Sequence, residues 1–366
     1  MKVLIINSQG HWINGWMTSP QSLEAVTNVL QKLSCEVQTV EVQSPNELKQ
    51  ILEKTQSDTL VWANAYWVDG ENGAQHELPA QIEKHNLSML GSSSSTLLRL
   101  LKKEVCQKTL KEAGIPVPSF LIIDQANAKN AQELIENAQL SFPMVVKPTN
   151  ESRSQGVTKV NDEQQTINVV NDLLKNFPTS NIIIEEFLPN NDITCGFLKL
   201  GEDIMLLPSF NEVKGMDCST EILSEAHYSL PSHYEQQVII HDENILNQLK
   251  EYVPRIVNSL EISGVTRADA RLDKNGIVKF FDINGMPGLN YPNSALIKQC
   301  YTHFPSYSKD YLFECLISTV VQENFLQNNM PIPTNMKKHH LFNLKSDTII
   351  TFKKNQHPVK AALSLV

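Results

Sequence analysis

A chain of 366 residues that is 41% hydrophobic and 19% charged holds enough apolar side chain for about two to three domains, and it lacks the bias of collagenous, mucin-like or low-complexity proteins. Lys and Arg number 31 against 40 Asp and Glu, a net charge of −9, the wrong sign for gripping nucleic acid through its phosphates, so any basic site is local. The six cysteines, Cys35, Cys106, Cys195, Cys218, Cys300 and Cys315, form no CxxC pair and no metal-ligand spacing, and read as reduced, packed thiols. The apolar run at the N-terminus, Val3 to Ile6, is shorter than the roughly 7 to 15 residues of a secretory signal. No stretch approaches the roughly 18 apolar residues of a membrane span, and a cytoplasmic protein with no membrane partner is expected.

The first hundred residues alternate short β runs with amphipathic segments, the pattern of a parallel sheet with crossover helices. Val3 to Ile6 is a strand apolar on both faces. Ser19-Pro20 supplies an N-cap and a proline at the first helical position, and Leu23, Val26, Leu30 and Leu33 follow at helical spacing. Cys35 to Val42 reads as the second strand, and Ser44-Pro45-Asn46-Glu47 adds the glutamate of a capping box before the next helix. A third strand, Thr59 to Ala63, leads to a polar loop, Asp69 to Gly73. This predicts an N-terminal α/β domain over residues 1–95.

A helix from about Thr96 to Ala113 ends at Gly114, and Pro116 and Pro118 force extended chain, so residues 96–118 form a helix and linker. Two further units follow, 119–200 and 201–325, with strands at Phe120–Ile123, Pro143–Lys147, Ile182–Phe187, Thr194–Leu200 and Met205–Phe210. Pro254 should kink or split a helix over Asn244–Leu260. A closing helix spans about Lys309 to Glu323, and 326–366 reads as a tail, an appendage or partly ordered.

Thr266–Leu272 and Ile277–Asn284 flank Asp273-Lys274-Asn275-Gly276, and Asn-Gly is the strongest short hairpin signal. With Asn275 and Gly276 as a two-residue turn, Asp269 faces Asp282 and Arg267 faces Asn284. Like charges directly opposite destabilise a sheet, more so when partly buried, unless something compensates. Oxygens from Asp269, Asp282 and Asn284 suit Mg²⁺ or Mn²⁺; a solvated hairpin is the other reading. The loop that follows, Gly285-Met286-Pro287-Gly288-Leu289, can bring backbone N–H groups to an anion. Lys147, at the end of an apolar strand, calls for an anionic partner such as phosphate, or snorkels outward. Lys103, in a Lys-Lys-Glu run on a helix, reads by default as a solvated charge. Asn150 to Gly156, with Ser154, is either a phosphate loop or an ordinary polar turn.

Lys147, this loop, Ile183-Ile184-Glu185-Glu186-Phe187-Leu188 and the run from Arg267-Ala268-Asp269 through Asp282-Ile283-Asn284-Gly285-Met286-Pro287-Gly288 occur in an order that resembles the ATP-grasp ligases, specifically the D-alanine:D-alanine ligase family, over roughly residues 1 to 325. Asp69 to Gln75 and Ala113 to Pro118 resemble the family's G-E-(D/N)-G loop and its helix-to-linker signature. The resemblance implies an α/β architecture, the ATP-grasp fold preceded by a Rossmann-like parallel domain. It places ATP between two sheets, with Lys103, Lys147 and Ser154 on the phosphates, Glu185, Glu186, Phe187 and Leu188 as the adenine hinge, and Asp192 on the ribose. Asp269, Asp282 and Asn284 would carry Mg²⁺, and Arg267 with the backbone N–H of Gly288 would hold the developing oxyanion or a substrate carboxylate. The implied reaction is amide formation between a small-molecule carboxylate and an amine through an acylphosphate, with release of ADP, in a chain for which a homodimer is a family expectation.

Several positions depart from the family where substrate is chosen. The N-terminal loop, Gln9 to Trp16, has no acid where the family carries a glutamate for the first substrate's ammonium. Arg153 stands at the loop-serine position, and Glu221-Ile222 at that of the mobile-loop Lys-Tyr pair. The serine for the acceptor carboxylate falls near Asn293 or Ser294, and Asp282 is one methylene shorter than the usual metal-bridging glutamate. These changes imply a first substrate other than a simple free amino acid, held through extra negative charge by Arg153. Trp12 and Trp16 either line an enlarged pocket or pack the loop. The alternatives are a genuine D-alanine:D-alanine ligase with an unusual first site, a nucleotide-binding regulatory protein that has lost ligation, and a phosphotransferase.

Overall fold

The computed structural model describes residues 1–217, 220–223 and 235–353, so Cys218 and the last part of the expected tail lie outside the described residues. At the N-terminus β1 (Lys2–Ser8), α1 (Pro20–Lys32), β2 (Glu36–Val42), α2 (Pro45–Lys54) and β3 (Thr59–Ala63) alternate as the apolar pattern requires. Ser19 Oγ accepts the N–H of Ser22, and Ser44 Oγ that of Glu47, satisfying N–H groups that a helix start leaves without partners. Glu47 reaches back one residue further than a standard capping box and accepts from Gln43 N. The loop at 69–73 lies inside a small hairpin, β4 (Trp67–Asp69) with β5 (Gln75–Glu77), followed by α3 (Leu78–Lys84) and β6 (Ser88–Met89). The parallel sheet has the order β2-β1-β3-β6.

The single helix expected over 96–113 is two, α4 (Ser94–Leu101) and α5 (Lys103–Glu112). Lys102 adopts an extended conformation, and the N–H of Lys103 leaves the helix ladder to donate to Thr149 O. Propensity favours continuity here; a hydrogen bond to distant chain overrides it.

A second sheet follows with β7 (Phe120–Ile123), α6 (Ala131–Asn137), β8 (Met144–Pro148), β9 (Thr158–Val160), α7 (Glu163–Asn176) and β10 (Ile182–Glu186), in the antiparallel order β7-β10-β8-β9. The third comprises β11 (Asp192–Leu200), β12 (Asp203–Val213), β13 (Glu235–Ile239), α8 (Glu243–Ser259), β14 (Thr266–Leu272) and β15 (Val278–Asn284), in the order β13-β12-β11-β14-β15. Pro254 does not split α8, which runs through it with Val253, Pro254, Ile256 and Val257 buried.

The last elements among the described residues are α9 (Ala295–His303), α10 (Lys309–Gln327) and β16 (Ile350–Lys353). Residues from Leu312 to Phe325 of α10 are almost all buried, as befits a helix apolar around much of its circumference. The segment after Pro331 is part of the reason, correcting the view of it as an appendage. Met336 and Leu341 join the core that α10 shares with the N-terminal sheet, and β16 pairs with β12 beyond the reach of β13. Gln322 Nε2 donates to Met336 O, and His303 on α9 bridges Pro208 O on β12 and the Thr348 hydroxyl.

His303 is buried, and burial lowers its pKa from 6.5 to about 4. The folded form holds it neutral, so its contribution to stability is full above pH 6.5 and is lost as pH falls toward 4, up to about 3 kcal/mol. Denaturation of wild type and His303→Gln across pH 7 to 4 should show the wild type losing stability more steeply; parallel curves would contradict this assignment.

Candidate active site

The hairpin of β14 and β15 reaches the expected pairing by an unexpected route. Its turn has three residues, not two: Asp273 pairs with Ile277, Gly276 sits at φ +78°, and the Asp273 carboxylate accepts the N–H groups of Asn275 and Ile277. That shifts the register by one, so Leu272 faces Val278. A bulge at Phe281 shifts it back, and Asp269 faces Asp282 while Arg267 faces Asn284.

Because side chains alternate along a strand, Arg267, Asp269 and Arg271 share one face of β14, and all three line a cleft of about 540 Å³. Such a volume suits a small-molecule or cofactor site, commonly about 300–1,000 Å³. Its walls come from the two antiparallel sheets and from loops of the N-terminal unit.

Asp269 is clamped by the Arg267 guanidinium at 2.7 and 3.0 Å and accepts the Thr194 hydroxyl at 2.8 Å. Burial pushes the Asp269 carboxyl up, Arg267 opposes this, and the charge of Asp282 adds to the rise. Asn284 Oδ1 accepts the N–H of Met286. Lys103 Nζ lies 3.9 Å from Asp282 and donates to Glu151 O at 2.6 Å. Its side chain is 12% exposed, so the solvated reading of Lys103 is corrected: the break at Lys102 turns it into the cleft.

Lys147 does not snorkel. It pairs with Glu185 at 2.8 Å, with both side chains nearly fully buried, and lies over the Phe281 ring. Glu185 also accepts from Gln107, whose amide reaches Phe281 O. Glu186 pairs with Lys279 at 2.5 Å and accepts from Ser119 N. Phe187 and Leu188 line the same wall, and Asp192 is held by Arg271 at 2.6 Å.

The loop at 150–156 turns through positive φ at Arg153 and Ser154, and both residues line the cleft. The Ser152 hydroxyl meets Asn14, Leu289 N donates to Trp16 O, and Thr18 N donates to Asn290 Oδ1. Three contacts thus tie the N-terminal loop to the two loops opposite. The tryptophans serve packing rather than a pocket: Trp16 stacks edge-on against Trp62, and Trp12 donates to Glu41. Ile13, Asn14 and Gly15 line the cleft in their place. Gly15 has no alternative, since a Cβ there would lie 2.1 Å from Asn64 O.

Gly288, Asn293 and Ser294 border the cleft, and the buried Ser294 hydroxyl has no hydrogen-bond partner among the described residues. Glu221 carries no charge into the cleft in place of a lysine; its carbonyl accepts from Arg271, while Ile222 supplies apolar lining.

Sequence reasoning missed Gln107, one turn beyond Lys103, and Arg271, two residues beyond Asp269; helix and strand periodicity point to both. It also missed Tyr66, a lining residue whose phenol is held above its usual pKa by burial and the charge of Asp282.

A cleft between two antiparallel sheets, fed by a parallel α/β unit, is the ATP-grasp architecture. The structure of D-alanine–D-alanine ligase from Bacillus anthracis complexed with ATP aligns with a TM-score of 0.63 and 17% identity over 89% of this chain and 99% of that one. The VanG D-Ala:D-Ser ligase from Enterococcus faecalis aligns with a TM-score of 0.63 and 18% identity over 88% and 99%. The D-alanine–D-alanine ligase of Thermosipho africanus is 24% identical over 223 residues, 60% of this chain and 59% of the relative. Residues 109–308 match the model of the D-ala D-ala ligase C-terminus, and the chain belongs to that family.

Removing Glu185 leaves the buried Lys147 ammonium without its partner, which costs about 3–5 kcal/mol. Urea unfolding of Glu185→Ala should show that loss, and the apolar pair Lys147→Met with Glu185→Leu should recover most of it; a change under about 1 kcal/mol for Glu185→Ala would contradict the pairing.

Proposed function

We propose that this protein is an ATP- and Mg²⁺-dependent ligase that joins a carboxylate to an amine and releases ADP. The observation that carries the proposal is the meeting in one cleft of two lysines, Lys103 and Lys147, with the facing pair Asp269 and Asp282. The two carboxylates and the Asn284 amide are hard oxygen donors, and burial, with the charge of Asp282 adding to it, holds the Asp269 carboxyl above its usual pKa. These residues fit Mg²⁺, which when bound would neutralise the triphosphate and draw charge from the phosphate being transferred.

Phosphoryl transfer asks the protein for position and charge neutralisation more than for covalent chemistry. Lys103 and Lys147 lie where they can take phosphate oxygens, with Ser154 and the backbone of its loop as further donors. Glu185 to Leu188 would meet the base and Asp192 the ribose. The substrate carboxylate attacks the γ-phosphorus, ADP leaves, and an acylphosphate forms. The amine then attacks the acyl carbon, phosphate departs with the C–O electrons, and the amine loses its proton. Arg267 and the N–H of Gly288 would stabilise the tetrahedral oxyanion, and the buried Ser294 hydroxyl, with Asn293, would receive the acceptor's carboxylate.

The first substrate differs from a free amino acid. Ile13, Asn14, Gly15 and Thr18, which the N-terminal loop contributes to the cleft, offer no charge to an ammonium, while Arg153 on the facing loop suits a carboxylate or phosphate.

ADP release should depend on both a carboxylate and an amine, and mass spectrometry should find an amide product built on an acidic first substrate. Asp282→Ala should lower turnover on the order of 100-fold or more, and Arg153→Ser should raise the KM of the acidic substrate about tenfold. D-alanine dimer as the preferred product would instead establish D-alanine:D-alanine ligation, and tight ATP binding without amine-dependent turnover would favour a regulatory protein. A phosphorylated product formed without amine would indicate phosphotransfer.

A further inference from the structure

Resting on the reading of the cleft as a nucleotide site, we propose that Arg271 is a positioning residue that fixes the nucleoside end of that site and sets how strongly it distinguishes ribose from deoxyribose. Arg271 is third in the row on β14, after Arg267 and Asp269, and lies at the opposite end of the row from Arg267. It is 4% exposed, and its guanidinium is bonded on every side. Nε and Nη2 hold the two oxygens of Asp192 at 2.6 and 3.0 Å. Nη1 donates at 3.1 Å to Leu188 O, in the wall that follows β10, and at 3.1 Å to Glu221 O, in the segment beyond β12. The same guanidinium lies 5.9 Å from the centre of the Phe187 ring.

One planar group therefore joins the two ends of the β10–β11 connection and a distant segment at Glu221, which line the cleft through Leu188, Asp192 and Ile222. A fork of five donors with fixed geometry can do this; an ammonium cannot. The Asp192 carboxylate is locked in one orientation and keeps free lone pairs, since an ionised carboxylate has about four acceptor sites and the guanidinium takes two. Its remaining acceptor capacity is thus fixed before any ligand arrives, which removes the cost of ordering that side chain on binding. A hydroxyl donated to such a preset acceptor is read strongly, because its absence leaves a buried acceptor without a donor. A second contact steadies the same segment: Lys159 Nζ donates to the carbonyl of Thr220 and lies over Phe187.

The test measures equilibrium binding of Mg·ATP, 2′-deoxy-ATP and 3′-deoxy-ATP to the full chain, without any ligation substrate. Wild type should bind ATP and prefer it to at least one deoxy analogue by about tenfold or more. Arg271→Met should weaken ATP by about tenfold or more while changing the less favoured analogue much less, so that the preference collapses. Arg271→Lys keeps a cation beside the buried Asp192, which guards against misfolding, yet cannot bridge Asp192, Leu188 and Glu221 together; it should show the same collapse. A wild-type preference retained in Arg271→Lys, or equal loss for ATP and both analogues in a folded variant, overturns the role of Arg271. Wild type that binds no ATP at all overturns the nucleotide reading beneath it.

Discussion

Two carboxylates face each other across a pair of strands, and much of the molecule is arranged to make that tolerable. Asp269 and Asp282 sit opposite because a three-residue turn and a one-residue bulge cancel in register. Either alone would rotate one acid to the other face of the sheet, since a slip of one residue exchanges faces. The bulge is held from outside the hairpin: Gln107 donates to Phe281 O, and Phe280 N donates to Pro116 O. Cations then gather round the pair, Arg267 on Asp269 and Lys103 near Asp282, with Lys147 behind them on Glu185.

The same logic explains the break between α4 and α5. A continuous helix would carry Lys103 past the cleft on a straight axis. Ending α4 at Leu101 and giving the Lys103 N–H to Thr149 O ties the start of the second helix to the residue that follows the strand carrying Lys147. Gln107, one turn along, then reaches both Glu185 and the bulge. Sequence, local geometry and site are linked here by a single backbone hydrogen bond.

How much of this was legible in the residues follows from the range of the forces involved. Short-range signals read well: Ser19 and Ser44 cap their helices, Phe120–Ile123 is a strand to the residue, and the facing aspartates were foreseen. That last success came through two errors that cancel, because a turn length can be guessed from Asn-Gly but a bulge fixed by Gln107 and Pro116 cannot. Long-range partners read poorly. Lys103 looked solvated until the distant Thr149 carbonyl was placed beside it, and Trp16 could not be assigned to packing before Trp62 was set against it. Arg271 was within reach, since it continues the alternation of Arg267 and Asp269, but nothing local to it announces that Asp192 lies across the strand pair. The segment after Pro331 reads as an appendage from its residues alone because its anchors, Gln322 and His303, are side chains on α10 and α9.

The most direct measurement is anomalous diffraction from crystals of this protein grown with Mn²⁺ and a non-hydrolysable ATP analogue. The metal peak should lie between Asp269, Asp282 and the phosphates, with Lys103 and Lys147 on the phosphate oxygens and the base against Glu186 to Leu188. A nucleotide bound elsewhere, or one bound in the cleft with both aspartates turned away from the metal, would contradict the reading of this charge cluster as the seat of phosphoryl transfer.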